Sequence, residues 1–146
     1  METKFDSLPL SSELLGVIHE LGYAQPTPIQ AVSIPTLVAG TDLIGQSKTG
    51  SGKTAAFALS ILERISLPLR ETQALILCPT RELSAQITRE FRTLGRKHPG
   101  FTVTGLVGGQ PRKAQRDALA RGTHVVVGTP GRVLDHLQKR SLETHR

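Results

Sequence analysis

At 146 residues, 38% hydrophobic and 21% charged, the chain can bury a real core and is too apolar for a disordered tail. A net charge of +6 and a pI near 10.1 point to an anionic partner, nucleic acid first. The lone Cys78 excludes an internal disulfide, no apolar run is of spanning length, and the opening Met1-Glu2-Thr3-Lys4 lacks a secretory apolar region, so the expected location is cytoplasmic.

Ser11 can cap a first helix running to about Leu21, because Leu14, Leu15, Ile18 and Leu21 fall on one face. Gly22 ends it. Thr27 can cap a second helix with Pro28 at its first position, and Thr27 and Gln30 have the spacing of a capping box. That helix reaches about Val38. Asp42-Leu43-Ile44-Gly45 then reads as a short strand, followed by Ser47-Lys48-Thr49-Gly50-Ser51-Gly52-Lys53-Thr54 and an apolar helix to Ile65.

Strand, glycine loop and helix are the setting in which this pattern means a phosphate-binding loop. Gly50 and Gly52 let successive N–H groups turn inward toward phosphate oxygens, and the helix N-terminus adds partial positive charge. Lys53 would reach the β- and γ-phosphates, and the Thr54 hydroxyl would ligate Mg²⁺. The strict motif places glycine at position 47, where this chain has Ser47.

Beyond Leu67-Pro68-Leu69, the run Gln73 to Cys78 reads as a strand covered on both faces. Thr80 caps a helix from Arg81 to about Arg96, with Leu83, Ile87, Phe91 and Leu94 at helical spacing. Phe101 to Val107 is a strand leading into Gly108-Gly109, and Pro111 to Ala120 is a helix. His124 to Val127 is a strand running into Thr129-Pro130-Gly131-Arg132 and a last helix to about Gln138. Buried strands alternating with helices imply a parallel α/β sheet with ligands at the carboxyl ends of its strands. Singly, each loop at those ends is an ordinary strand-to-helix turn. Together, helix N-termini, glycine turns and arginines on one rim of a basic domain describe a groove that tracks a sugar–phosphate backbone. The five aromatic residues are too few beside basic ones to build a base-stacking platform.

In order and wording, these segments resemble the first RecA-like domain of the DEAD-box RNA helicases. The residues that carry the likeness are Gly22-Tyr23 through Gln30 with Phe5 upstream, Ser47 to Thr54, Pro79-Thr80-Arg81-Glu82-Leu83, Gly108-Gly109, and Thr129 to Arg132. Thr72 to Pro79, Gly109-Gln110-Pro111 and Leu134 to Lys139 are similar to the DbpA branch of that family. The resemblance implies a three-layer, RecA-like P-loop NTPase fold. Residues 1–146 would be the amino-terminal part of helicase domain 1, with 1–40 an adenine-reading flank and 41–146 the P-loop core.

The resemblance also implies roles. Gln30 would read the adenine edge, since an amide can pair with N6 and N7 together. Tyr23 would lie against the adenine face, with Phe5 closing that side and Gln25 nearby. Pro79, Thr80, Arg81, Gly108, Gly109, Thr129, Pro130, Gly131 and Arg132 would form the RNA-binding set. ATP and Mg²⁺ are the implied cofactors, with Lys53 and Thr54 the catalytic contributors, and RNA, ribosomal RNA in the DbpA branch, is the implied partner, with a role in ribosome biogenesis. Ser47 and Lys48 replace the family's usual alanine and glutamine.

The family's Asp-Glu-Ala-Asp sequence, its second RecA-like domain and any auxiliary RNA-binding domain do not occur in this sequence. The expectation is therefore a chain that binds ATP and RNA without hydrolysing or unwinding, with an open sheet edge liable to pair with another chain. A non-catalytic RNA-binding fragment or competitor is the alternative. An unrelated P-loop kinase would need an acceptor site and a strand-end Asp, and the sequence offers neither.

Overall fold

The computed structural model describes residues 2–144. The polar caps set the helix boundaries. Ser11 accepts the Leu14 N–H and starts α1 (Ser12–Glu20), and Thr27 accepts the Gln30 N–H and starts α2 (Pro28–Val38). Gly52, at φ 88°, precedes α3 (Lys53–Arg64). Thr80 Oγ1 accepts the Leu83 N–H at 3.2 Å and opens α4 (Arg81–Leu94). Each such cap satisfies a donor that the first helical turn leaves without a partner.

Two compact units emerge. The first comprises the chain up to Ile65 together with Thr93–His98. A short 3-10 turn, Phe5–Ser7, buries Phe5. Leu14, Val17 and Ile18 of α1, Ile34 of α2, and Ala58 and Leu59 of α3 are fully enclosed. α2 and α3 pack against each other, and Glu63 of α3 accepts the Ser11 N–H at 2.8 Å, holding the start of α1. Truncating a buried leucine such as Leu59 in a core of this kind costs roughly 2–5 kcal/mol.

The second unit comprises Ser66–Arg92 and the chain from Pro99 onward. Its sheet contains β1 (Ala74–Leu77), β2 (Val103–Leu106) and β3 (Val125–Gly128), ordered β1-β3-β2 and parallel throughout. Ala74 and Val103 both lie opposite Val125. Helices α4, α5 (Arg112–Arg121) and α6 (Pro130–Gln138) intervene between or follow the strands, as parallel pairing demands. A side chain at Gly105 would meet Thr88 of α4, whereas its neighbour Leu106 packs with Val133 of α6 and Leu142, and with Leu119 of α5. Successive strand residues point to opposite faces, so helices lie on both faces of the sheet at β2 and the three-layer α/β arrangement holds.

Two expectations need correcting. Residues 42–45 are not a strand: 41–48 carry no regular structure, and Ile44 is 99% exposed. A strand exists through its ladder partner, and among the described residues none pairs with this segment. Nor is the run from Gln73 covered on both faces. β1 ends the sheet, and Leu75 and Leu77 are exposed, the latter at 57%. Its apolar composition reports a surface that could be buried, but the face that Leu75 and Leu77 share stays open. Only β3, flanked on both edges, is buried at every residue.

Candidate functional site: a phosphate loop and a basic cleft

The phosphate loop belongs to the first unit. Gly50 and Gly52 both hold positive φ, 81° and 88°, a region closed to most L residues. At Gly52 a Cβ would also collide with the Gln30 amide. With no cap side chain on α3, the N–H groups of its first turn are free of a side-chain cap, as anion binding requires. Lys53 Nζ donates to the Ser47 carbonyl at 2.5 Å, so the ammonium is folded onto its own loop. Ser47 Oγ and Ser51 Oγ lie 2.5 Å apart, and the Ser51 N–H and hydroxyl both reach the Lys48 carbonyl. The serine at position 47 thus adds a loop-internal bond that glycine or alanine could not make. Thr49 lies between these anchors, and Thr54 follows Lys53 on α3.

Gln30 is drawn into the same loop. Its Oε1 accepts the Thr27 N–H at 3.0 Å, and its Nε2 donates to the Gly52 carbonyl at 3.2 Å. The capping box is therefore formed, and the amide also links α2 to the phosphate loop. A glutamine amide can make four hydrogen bonds. One N–H and one lone pair of this buried side chain carry no further bond among the described residues. Tyr23 is 40% exposed and presents its ring, Gln25 is exposed and donates to Glu2 at 2.7 Å, and Phe5 is buried in the unit's core. Among the described residues there is no group of three or more His, Cys, Asp or Glu able to hold a metal ion. Thr54 Oγ1 is then the oxygen this loop would add to a cation arriving with a triphosphate.

The second unit gathers the remaining motif residues around one cleft of about 730 Å³. Pro79, Thr80, Arg81, Gly108, Thr129, Gly131 and Arg132 line it. Gly109, at φ 80°, sits against Arg81, and Arg81 Nη1 donates to the Gly108 carbonyl at 3.2 Å. Thr129 N–H donates to the Leu106 carbonyl at 3.1 Å, and Pro130 opens α6 without a side-chain cap. Arg132 Nη1 donates to the Gln110 carbonyl at 2.9 Å and to Gln115 Oε1 at 3.0 Å.

Sequence reading missed part of this cleft. Arg112 and Asp135 also line it, joined by a 2.9 Å ion pair, with Lys139 on the other carboxylate oxygen at 3.2 Å. The hydrogen bonds from Arg112 and then Lys139 hold the Asp135 carboxyl below its ordinary range. The buried Gln115 and His136 lie behind Arg132, joined at 2.8 Å, and burial lowers the His136 pKa. Gln115 had a legible signal: it precedes Ala118 and Leu119 by three and four positions, on the face that Leu119 turns to the core.

A family model described as DEAD/DEAH box helicase matches residues 27–146. The chain belongs to the DEAD/DEAH box helicase family. It is 53% identical over 122 residues to the ATP-dependent RNA helicase DbpA of Escherichia coli strain K12, covering 84% of this chain and 27% of that protein. It is 47% identical over 138 residues to the ATP-dependent RNA helicase DeaD of Buchnera aphidicola, covering 94% of this chain and 23% of that one. A DEAD box protein from the hyperthermophile Methanococcus jannaschii superposes with a TM-score of 0.90 at 36% identity, over 96% of this chain and 38% of the other. A variant of S. cerevisiae Dbp5 bound to RNA and ADP BeF3 gives a TM-score of 0.88 at 32% identity, over 98% of this chain and 36% of that structure. The chain thus spans about a quarter of the length of these curated helicases, and its α/β fold with a parallel sheet is that of the DEAD-box RecA-like domains.

Proposed function

We propose that this chain is the ATP- and RNA-binding portion of an ATP-dependent RNA helicase that opens RNA duplexes locally. The observation that carries the reading is the glycine loop, with positive φ at Gly50 and Gly52, an uncapped helix N-terminus and the Lys53 ammonium folded onto the Ser47 carbonyl. Ser47 to Thr54 take the triphosphate, Thr54 contributes to the Mg²⁺ shell, and Gln30 with Tyr23 and Gln25 forms the adenine side, which the buried Phe5 backs from within the core. The cleft at Arg81, Gly109, Thr129 and Arg132 takes RNA backbone. Residues 1–146 are on this reading the amino-terminal part of helicase domain 1, with 1–40 as the adenine-reading flank.

The chain by itself binds without hydrolysing. Among the described residues the strands end at Leu77, Leu106 and Gly128 and are followed by Cys78, Val107 and Thr129, so none of them presents a carboxylate to Mg²⁺ or water. A cytoplasmic location, ribosomal RNA as target and a part in ribosome biogenesis complete the proposal. They rest on composition and on the likeness to DbpA. The open edge of β1, with Leu75 and Leu77 exposed, is the place where a second chain would pair.

Fluorescent ADP and a fluorescent single-stranded oligouridylate test the two halves of this reading. Lys53→Ala removes a charged hydrogen bond to phosphate, and nucleotide affinity should fall roughly 10- to 100-fold. Arg81→Ala should weaken RNA and flatten its salt dependence by about 0.7 in log–log slope. An unchanged nucleotide affinity in Lys53→Ala would remove the triphosphate site. RNA binding insensitive to both salt and Arg81 would remove the backbone cleft.

A further inference from the structure

Gln115 of α5 bonds both to Val107, just past the end of β2, and to two side chains of α6. It is 5% exposed. Its Nε2 donates to the Val107 carbonyl at 3.0 Å, and its Oε1 accepts from Arg132 Nη1 at 3.0 Å and from His136 Nε2 at 2.8 Å. Val107 immediately precedes the Gly108-Gly109 turn, and Arg132 sits in the first turn of α6. Arg132 Nη1 in turn donates to the carbonyl of Gln110, just past the glycines. The turn from Val107 to Gln110 is therefore gripped at one end by Gln115 and at the other by the arginine that Gln115 holds.

The chemistry admits one orientation of this amide. Reversed, its NH₂ would face the guanidinium and its oxygen would face the Val107 carbonyl, so Arg132 and the turn would both lose a partner. Because Oε1 is already the acceptor, His136 Nε2 carries the proton. His136 Nδ1 is buried without a partner among the described residues, which leaves Gln115 as the sole anchor of that ring in this network. A fully enclosed histidine spent on orienting a glutamine, one helical turn beyond Arg132, is difficult to explain as packing alone.

We infer that Gln115 is a positioning residue: it fixes the Arg132 guanidinium and the glycine turn in the geometry that grips RNA backbone. This rests on the RNA-binding reading above. An arginine held by Gln115 and by the Gln110 carbonyl keeps further N–H groups of its fork for phosphate and has less side-chain freedom to lose when RNA arrives.

Gln115→Met keeps the length and burial of the side chain while removing all three bonds. In the full 146-residue chain, affinity for a fluorescent single-stranded oligouridylate should fall roughly three- to tenfold. Adding Gln115→Met to Arg132→Ala should change RNA affinity no further, because the effect runs through the arginine. A Gln115→Met chain that binds RNA normally while Arg132→Ala is weakened overturns the inference. So does an equal loss in both backgrounds. Unchanged RNA affinity in Arg132→Ala itself strikes instead at the RNA-binding reading, and the inference falls with it. Should Gln115→Met fail to fold, the unsubstituted chain still decides: the Arg132 guanidinium, assigned by its loss in Arg132→Ala, should show separate Nη resonances from restricted rotation. A single averaged signal refutes the restraint.

Discussion

On the proposed reading, the glycine loop and the basic cleft both prepare N–H groups for an anion, but by different means. In the loop, backbone does the preparing: positive φ at Gly50 and Gly52, the N-terminus of α3, and contacts no more than six residues apart apart from the Gln30 amide. In the cleft, side chains from distant positions do it: Arg81 on Gly108, Arg132 on Gln110 and Gln115, Arg112 on Asp135. Backbone preparation tolerates almost no substitution at its glycines. A side-chain network should fail in stages, one bond at a time.

The sharpest way to break this contrast is Gly52→Ala. A Cβ there meets the Gln30 amide, and the φ of 88° strains any L residue by about 1–3 kcal/mol. Fluorescent ADP binding should be lost or reduced at least as severely as in Lys53→Ala. Binding within a few-fold of the unsubstituted chain would mean that the loop does not rely on glycine geometry.

Gln30→Ala has the next largest expected effect, and the structure changes what it should do. A purely adenine-reading glutamine could be removed without disturbing phosphate binding. Here the same amide closes the capping box with Thr27 and holds the Gly52 carbonyl. Removing it should cost about 1 kcal/mol of stability from the cap and also loosen the phosphate loop. Thr27→Ala is the control that removes the Thr27 hydroxyl from the box and leaves the Gln30 amide in place. ADP affinity should fall roughly tenfold in Gln30→Ala and by less in Thr27→Ala. Equal losses in the two variants would reduce Gln30 to a cap.

These contrasts also show what a sequence can disclose. Ser11, Thr27 and Thr80 were legible as caps because capping is local: residue type and a spacing of three suffice. The glycine loop was legible for the same reason. The strand expected at 42–45 depends on a neighbouring strand and the cover expected over β1 on an element packed against its face, which no property of Leu43, Ile44, Leu75 or Leu77 can supply. The core-facing position of Gln115 was legible, but its bond to Arg132 and that of Arg112 to Asp135 were not, because these partners lie 17 and 23 residues away and meet only once α5 and α6 sit beside each other.

The smallest predicted effect is a pH dependence that belongs to the cleft and not to the loop. Burial, the dominant cause, lowers the His136 pKa. Asp135 opposes that shift, while Arg132, Arg116 and Lys139 reinforce it. The unfolded chain then takes up a proton near the ordinary histidine pKa of about 6.5, before the folded chain does. The contribution is fully present above that pH and is lost as pH falls toward the lowered value, with a slope of at most about 1.4 kcal/mol per pH unit. Asp135 acts in a separate, more acidic window: its lowered pKa adds stability above the ordinary carboxylate range that disappears on further acidification. Thermal melts between pH 7.5 and 5.5, compared with those of His136→Gln, isolate this one of the five histidines. The unsubstituted chain should lose stability across that interval, and His136→Gln, which cannot take up the proton, should lose less. Parallel curves for the two proteins would mean that the proton costs the folded cleft nothing, and that the bond from His136 to Gln115 is not holding a neutral ring.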